Sequence, residues 1–500
     1  MALTSPHRAI MLQGTGSDVG KTVLVAGLCR LAKRRGLAVR PFKPQNMSNN
    51  AAVAEVPLAN GSGGEIGRAQ WLQALACGVP SSIDMNPVLL KPQSETGSQI
   101  VVHGTVRGAA KGRDYQKLKP QLMGAVMESF QRLSSEADIV IVEGAGSPAE
   151  INLRSGDIAN MGFATKANVP VVLVGDIDRG GVIASVVGTH TILPPEDLRM
   201  IKGTLINKFR GDVSLFDDGL KQIERFTGWR SFGVVPWLEG VANLPAEDSV
   251  ALEKSVGTAS SDGDETVVAV PVLSRISNFD DLDPLKMQPS VRVVFVRPGD
   301  AWPVNAKLVV LPGSKSTIAD LEQFKALKWD MELNRHVVQG GHVLGICGGY
   351  QMLGNSVSDP HGIEGSVRES KGLGLLNVDT VLVPQKTVLN RVALDAKTRE
   401  ALTGYEIHMG RTVGHDTSRP MLTLDGKPDG AMSQNGHVQG CYLHGIFAND
   451  GWRGRLLEKV GAPVTDFNYR ASVDEALDCL ADQLDEVIDP AIFDLAMESI

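Results

Sequence analysis

Residues 8 to about 240 alternate short β-branched runs with longer helical patterns, which limits this stretch to a parallel sheet covered by helices on both faces. Ala9–Gln13, Ala38–Phe42, Ile139–Glu143, Val169–Gly175 and Ile201–Asn207 read as buried strands, and helical patterns start at Lys21, Glu65, Tyr115, Gly156 and Gly181. The alternation stops at 241–265, a polar, acidic stretch that reads as a linker. It resumes with Val267–Leu273, Val291–Val296, Leu308–Leu311 and His342–Ile346, so a second α/β domain is expected over 266–455. In the tail, 456–500, Leu477, Leu480, Leu484 and Val487 recur at helical spacing before Pro490, which predicts an amphipathic helix packed on the body. The expected fold class is α/β, with two doubly wound domains and a helical tail.

The segment Ile10–Thr22 reads IMLQGTGSDVGKT, a strand, a glycine turn and a helix opened by Gly20, Lys21 and Thr22. Backbone N–H groups of such a turn wrap a phosphate, and the helix N-terminus adds positive potential. The lysine reaches the terminal phosphates and the threonine hydroxyl can hold Mg²⁺. The spacing departs from the strict form: Gly14 stands one residue early and Thr15 occupies the expected glycine position. The residues expected to contact ATP are Gly16, Asp18, Gly20, Lys21 and Thr22. A carboxylate must complete a magnesium site, and Glu143, at the end of DIVIVEGAG, stands where a neighbouring strand would present it. Glu65 in GEIGRAQ is a further candidate, so the expected metal set is Thr22, Glu143 and Glu65. Lys43 in RPFKPQNMSNN follows the second strand and would point into the crevice at the strands' carboxyl ends. Lys91, Arg68 and Arg179 are weaker candidates of the same kind.

The segment GHVLGICGGYQMLG holds Gly345-Ile346-Cys347-Gly348-Gly349, the cysteine form of a nucleophile elbow. Small residues flank the nucleophile because the strand-to-helix turn is sharp, and the helix N-terminus favours the thiolate. The expected oxyanion donors are the N–H of Gly348 and one from LPGSKST, assigned to Gly313. A thiolate nucleophile needs an acid to protonate the leaving amine. His444 in GCYLHGIF is the first choice and His408 in GYEIHMG its competitor.

The net charge of -8 argues against a general nucleic-acid binder. The five cysteines are scattered, with no CxxC pair, which points to a reduced environment without a disulfide framework or zinc cage. No signal-peptide pattern opens the sequence and no apolar run reaches the length of a membrane span, so a cytoplasmic location without membrane partners is expected. The sequence admits a homo-oligomer.

The elbow with a downstream strand-terminal histidine resembles the class I glutamine amidotransferases. The phosphate loop with FKP and EGAG resembles the dethiobiotin synthetase-like amide-forming ATPases. Joined in this order, with PFKPQNMSNN, GEIGRAQ, DMNPVLLKP, VEGAGSPAEINL, GDIDRGG, LPGSKST, YEIHMG and YLHGIF, they resemble the cobyric acid synthases of cobalamin biosynthesis. The resemblance implies an amide synthetase domain over 1–240, an amidotransferase domain over 266–455, and ATP with Mg²⁺ as cofactors. It implies small-molecule substrates only: ATP, glutamine and a corrinoid, with cobalt present solely as part of the corrinoid. In the implied chemistry Cys347 attacks glutamine, His444 protonates the departing ammonia, and Lys43 sits near an acyl phosphate made in the first domain.

Ordinary class I amidotransferases carry a Glu two residues after the histidine; here that position is Ile446, as in the cobyric acid branch. The residue that orients His444 is therefore not evident from the sequence. Two other readings stand beside this one: a synthetase of the same architecture acting on another corrinoid or polycarboxylate, and a P-loop switch ATPase carrying an inactive amidotransferase-like module.

Overall fold

The computed structural model describes residues 8–92, 97–245, 265–365, 367–463 and 465–497. In the first domain six parallel strands stand in the order Arg230–Pro236, Ile201–Phe209, Val171–Asp176, Ala9–Gly14, Ile139–Glu143 and Val39–Phe42. Ala9–Gly14, Ile139–Glu143 and Val171–Asp176 are buried along their whole length, which is why they read as unbroken apolar runs. The first strand lies between two later ones, so the loop after Gly14 opens at the point where the strand order reverses.

Both faces of this sheet are covered. On one, Phe42, Phe130 and Phe163 pack together with ring centroids 5.1–5.5 Å apart. On the other, helix Lys21–Arg34 shares an apolar cluster with helix Tyr469–Val487 from the tail. Leu477, Leu480 and Leu484 of the tail are wholly buried there, so the expected amphipathic helix exists and returns to the first domain.

The second domain's sheet runs Val291–Val296, Thr266–Pro271, Leu308–Leu311, His342–Ile346, Val438–Cys441 and Ala431–Met432, parallel except for the last strand. A long antiparallel hairpin, Asp379–Asp395 with Ala401–Val413, extends from it. Tyr405 and Ile407 of that hairpin share an apolar cluster with Ala51, Val53, Leu89 and Val101 of the first domain. The seam also carries polar links: Asn278 Nδ2 donates to Ala51 O at 2.5 Å, and Asn390 Nδ2 to Ala54 O at 2.8 Å.

Several sequence expectations shift. Glu65–Gly67 is a strand paired antiparallel with Ala51–Val53, and the helix begins only at Arg68. No helix begins at Gly156: the Asp157 carboxylate accepts from the backbone N–H groups of Ala159, Asn160 and Gly162, and the helix starts at Met161. Residues 246–264 of the expected linker lie outside the described residues, while Val241–Asn243 forms a 3-10 turn beside the tail helix. The boundary at 455 would cut helix Asp450–Lys459, whose Leu456 and Leu457, with Val460, belong to the second domain's core. Residues 45–111 add a four-stranded sheet that the alternation did not announce. Among the described residues no helix is long and apolar enough to cross a membrane.

Candidate active sites

The strand Ala9–Gly14 delivers the phosphate loop, and Gly20, at φ 93°, opens helix Lys21–Arg34. A Cβ on Gly14 would lie 2.8 Å from Lys21 Nζ and 2.6 Å from Val19, so the early glycine makes room for the lysine to fold back. Lys21 Nζ donates to Gly16 O and Gly146 O, both at 3.2 Å. Such carbonyl contacts hold an ammonium where phosphate oxygens would replace them. Asp18, also at positive φ, takes Arg179 on its carboxylate at 3.3 Å.

Glu143 is the hub of this site. Its Oε1 accepts from Thr22 Oγ1 at 2.7 Å and Lys43 Nζ at 2.8 Å, and its Oε2 from Gln73 Nε2 at 2.6 Å. The structure thus brings together Thr22, Glu143 and Lys43, as the sequence suggested, and adds Gln73, which it did not. Around them lies a cavity of about 1520 Å³ that continues past Tyr115, Lys119 and Trp237. Thr22 and Glu143 offer the oxygen donors that Mg²⁺ takes, with water and phosphate left to fill the other positions, so the residues fit that ion.

Glu65 is a correction. Its Oε2 pairs with Lys91 Nζ at 2.9 Å and its Oε1 with Lys386 Nζ from the second domain. Burial alone would raise this carboxyl, but Lys386 and Lys91 hold it well below the usual range. Glu65 does not line the nucleotide cavity that Thr22 and Glu143 share, so it is not a ligand beside them. It belongs to the seam, close to the second site.

That second site is built on the turn between His342–Ile346 and the short helix Gly348–Met352. Cys347 sits at φ 53° and ψ −109°, the tight elbow the motif predicts. A Cβ on Gly349 would lie 2.0 Å from Leu311 O, and one on Gly348 2.8 Å from Ser314 N, so only glycine lets these loops meet. Ser314 rather than Gly313 lines the small cavity of about 60 Å³ at Cys347, while a Cβ on Gly313 would lie 3.2 Å from the His444 ring. Of the two, it is Ser314 that lines the cavity and sets its N against Gly348.

The two histidines separate cleanly. His408 has both ring nitrogens engaged, with Gly410 O at 3.1 Å and Glu406 Oε1 at 3.0 Å, and stacks on Tyr442. His444 donates from Nδ1 to Asp281 Oδ2 at 2.7 Å, which leaves its buried Nε2 for the Cys347 thiol. Burial pulls His444 down, but the charges of Asp281 and Cys347 more than reverse this and raise it to about 10. Asp281 also accepts from Gly445 N at 2.6 Å, which fixes the carboxylate against the histidine's own backbone. Asp281 is therefore the orienting group that Ile446 does not supply. The sequence reading missed it; the signal was SNFDDLD, three acids at the apolar start of a domain. Asp280, next to it, pairs with Arg68 of the first domain at 2.9 Å.

Comparison with known proteins finds matches in both halves of the chain. Residues 10–251 match the CobQ/CobB/MinD/ParA nucleotide binding domain, and residues 267–452 match the CobB/CobQ-like glutamine amidotransferase domain. Over 484 residues the chain is 66% identical to a cobyric acid synthase of Sinorhizobium fredii, covering 97% of this chain and 98% of that one. It is 65% identical over 487 residues to one from Allorhizobium ampelinum, covering 97% and 99%. To one from Brucella suis it is 65% identical over 482 residues, covering 96% and 98%. With similarity of this depth across both domains and the tail, the chain belongs to the cobyric acid synthase family.

Proposed function

We propose that this chain amidates the b, d, e and g carboxylates of adenosylcobyrinic acid a,c-diamide to give adenosylcobyric acid, using ATP and ammonia from glutamine. The observation that carries the reading is the joining of two chemistries in one chain. A phosphate loop with Lys21, Thr22, Lys43 and Glu143 opens into a cavity far larger than a nucleotide needs, and Cys347, His444 and Asp281 lie across the seam.

In the second domain the Cys347 sulfur attacks the side-chain amide carbon of glutamine. The N–H groups of Gly348 and Ser314 face the oxyanion. His444 gives its Nε2 proton to the leaving ammonia, and Asp281 holds the imidazolium through Nδ1. Water then releases glutamate from the thioester. In the first domain Lys21 neutralises charge on the transferring phosphoryl group. Lys43, swung from Glu143, meets the substrate carboxylate and then the acyl phosphate, from which ammonia displaces phosphate. Mg²⁺, when bound through Thr22 and Glu143, supplies further neutralisation of the phosphate charge.

The test is mass spectrometry of adenosylcobyrinic acid a,c-diamide incubated with the protein, ATP, Mg²⁺ and glutamine. Four stepwise conversions of acid to amide, each with one glutamate released, are expected. An unchanged corrinoid in the presence of protein that binds ATP would overturn the substrate assignment.

A further inference from the structure

Three lysines line the Cys347 cavity: Lys91, Lys315 and Lys386. Glu65 takes two of them, Lys91 at 2.9 Å and Lys386 on its other oxygen. Lys315 has no such partner. Its Nζ donates to Gln99 Oε1 at 3.2 Å, and among the described residues no carboxylate lies within ion-pair distance of it. Burial, then Lys386 and Lys91, pull its ammonium to about 7, as expected of a cation short of an anion. The same cavity is lined by Glu364, whose Oε2 accepts from Ile318 N at 3.0 Å. Beside the nucleophile, then, stand a cation and a carboxylate that feel each other's charge without closing an ion pair. A free α-amino acid presents the complementary pair.

Resting on the assignment of Cys347 as a glutaminase nucleophile, we propose that Lys315 binds the α-carboxylate of glutamine and Glu364 its α-ammonium. The two residues select the free amino acid over other primary amides. Gln99 of the first domain holds Lys315, and Glu65 holds Lys386, which also touches Gln99 at 3.3 Å. The head-group site is therefore completed by the synthetase domain.

The experiment measures glutamate release by the full chain with corrinoid and ATP present. Lys315→Met should raise KM for glutamine by about 30-fold or more while kcat changes little, because the amide carbon still meets Cys347. Lys315→Arg should recover most of the loss. Two analogues sharpen the assignment. 4-Aminobutanamide lacks the carboxylate and should be poor for the parent protein, but Lys315→Met should handle it no worse than the parent does. 5-Amino-5-oxopentanoate lacks the ammonium and should show the same relation to Glu364→Gln. Ammonium-supported amidation reports whether each variant folds, and should a variant not fold, the parent's preference among the three amides decides. Equal use of glutamine and 4-aminobutanamide by the parent, or preference for glutamine retained in Lys315→Met, would overturn the proposal. A parent protein that hydrolyses no glutamine at all would instead overturn the glutaminase reading beneath it.

Discussion

The cavity over the phosphate loop encloses about 1520 Å³, that at Cys347 about 60 Å³. The first is walled by turns and by side chains that include Lys119, Tyr115 and Trp237. The second is crowded by three lysines, Glu364, Gln351 and His408 around Cys347. The difference matches what the proposed function asks each to hold. A corrinoid presenting four carboxylates in turn has to rebind in several orientations, so a wide site with one reactive corner serves it. Glutamine arrives once per cycle in one pose, so a tight, preorganised site costs nothing in versatility and gains in catalysis.

The hardest break in that comparison is Cys347→Ala. Glutamine-dependent amidation should fall by at least about 10⁴-fold, while amidation from added ammonium salts persists. Lys21→Ala should remove both activities by on the order of 10³-fold, measured with either nitrogen source, because both need the charge on the transferring phosphoryl group neutralised. Asp281→Asn should lower glutamine hydrolysis by roughly 10²–10³-fold, read as glutamate release. It should also move the alkaline limb of the pH profile down. His444 is raised to about 10 against an ordinary value of 6.5, so its protonated form persists through neutral pH and is lost as pH rises through 10. The stability tied to that proton is complete below 6.5 and disappears over the same rise, so thermal melting of Asp281→Asn should lose most of its alkaline sensitivity.

Smaller effects map the seam against the surface. Glu65→Gln leaves the Lys91 and Lys386 ammoniums unpaired where Glu65 is 0% exposed, and should cost about 3 kcal/mol in a denaturant titration. Arg34→Ala removes an ion pair with Asp482 whose side chains are 43% and 62% exposed, and should cost less than about 1 kcal/mol by the same measurement.

What the sequence disclosed and what it hid divide along range. The strands Ile139–Glu143, Val291–Val296, Leu308–Leu311 and His342–Ile346 were legible to the residue, because an apolar run bounded by turn residues is a local signal. Cys347 and Lys21 were legible for the same reason, since each sits in a turn whose glycines are its neighbours. Glu65 was misread: its partner Lys386 lies 321 positions away, and nothing near GEIGRAQ reports it. Asp281 escaped for the same reason, standing 163 positions before His444. The Glu at the usual position would have been two residues from the histidine and visible at once. With the orienting carboxylate on another loop, the chemistry is kept but no local signature announces it.

Asp280 and Asp281 are consecutive, and they face different halves of the molecule. One answers Arg68 of the synthetase domain and the other steers His444. Burial pushes Asp280 up to about 7, a shift that Arg68 opposes and that the neighbouring Asp281 and Asp283 reinforce. Take away the synthetase domain and three acids crowd one turn without their arginine, directly beneath the proton donor. The glutaminase half is therefore not a portable cassette. Transplanted onto a foreign synthetase it would keep its cysteine, its histidine and Asp281, but Asp280 would arrive without the arginine that offsets its burial.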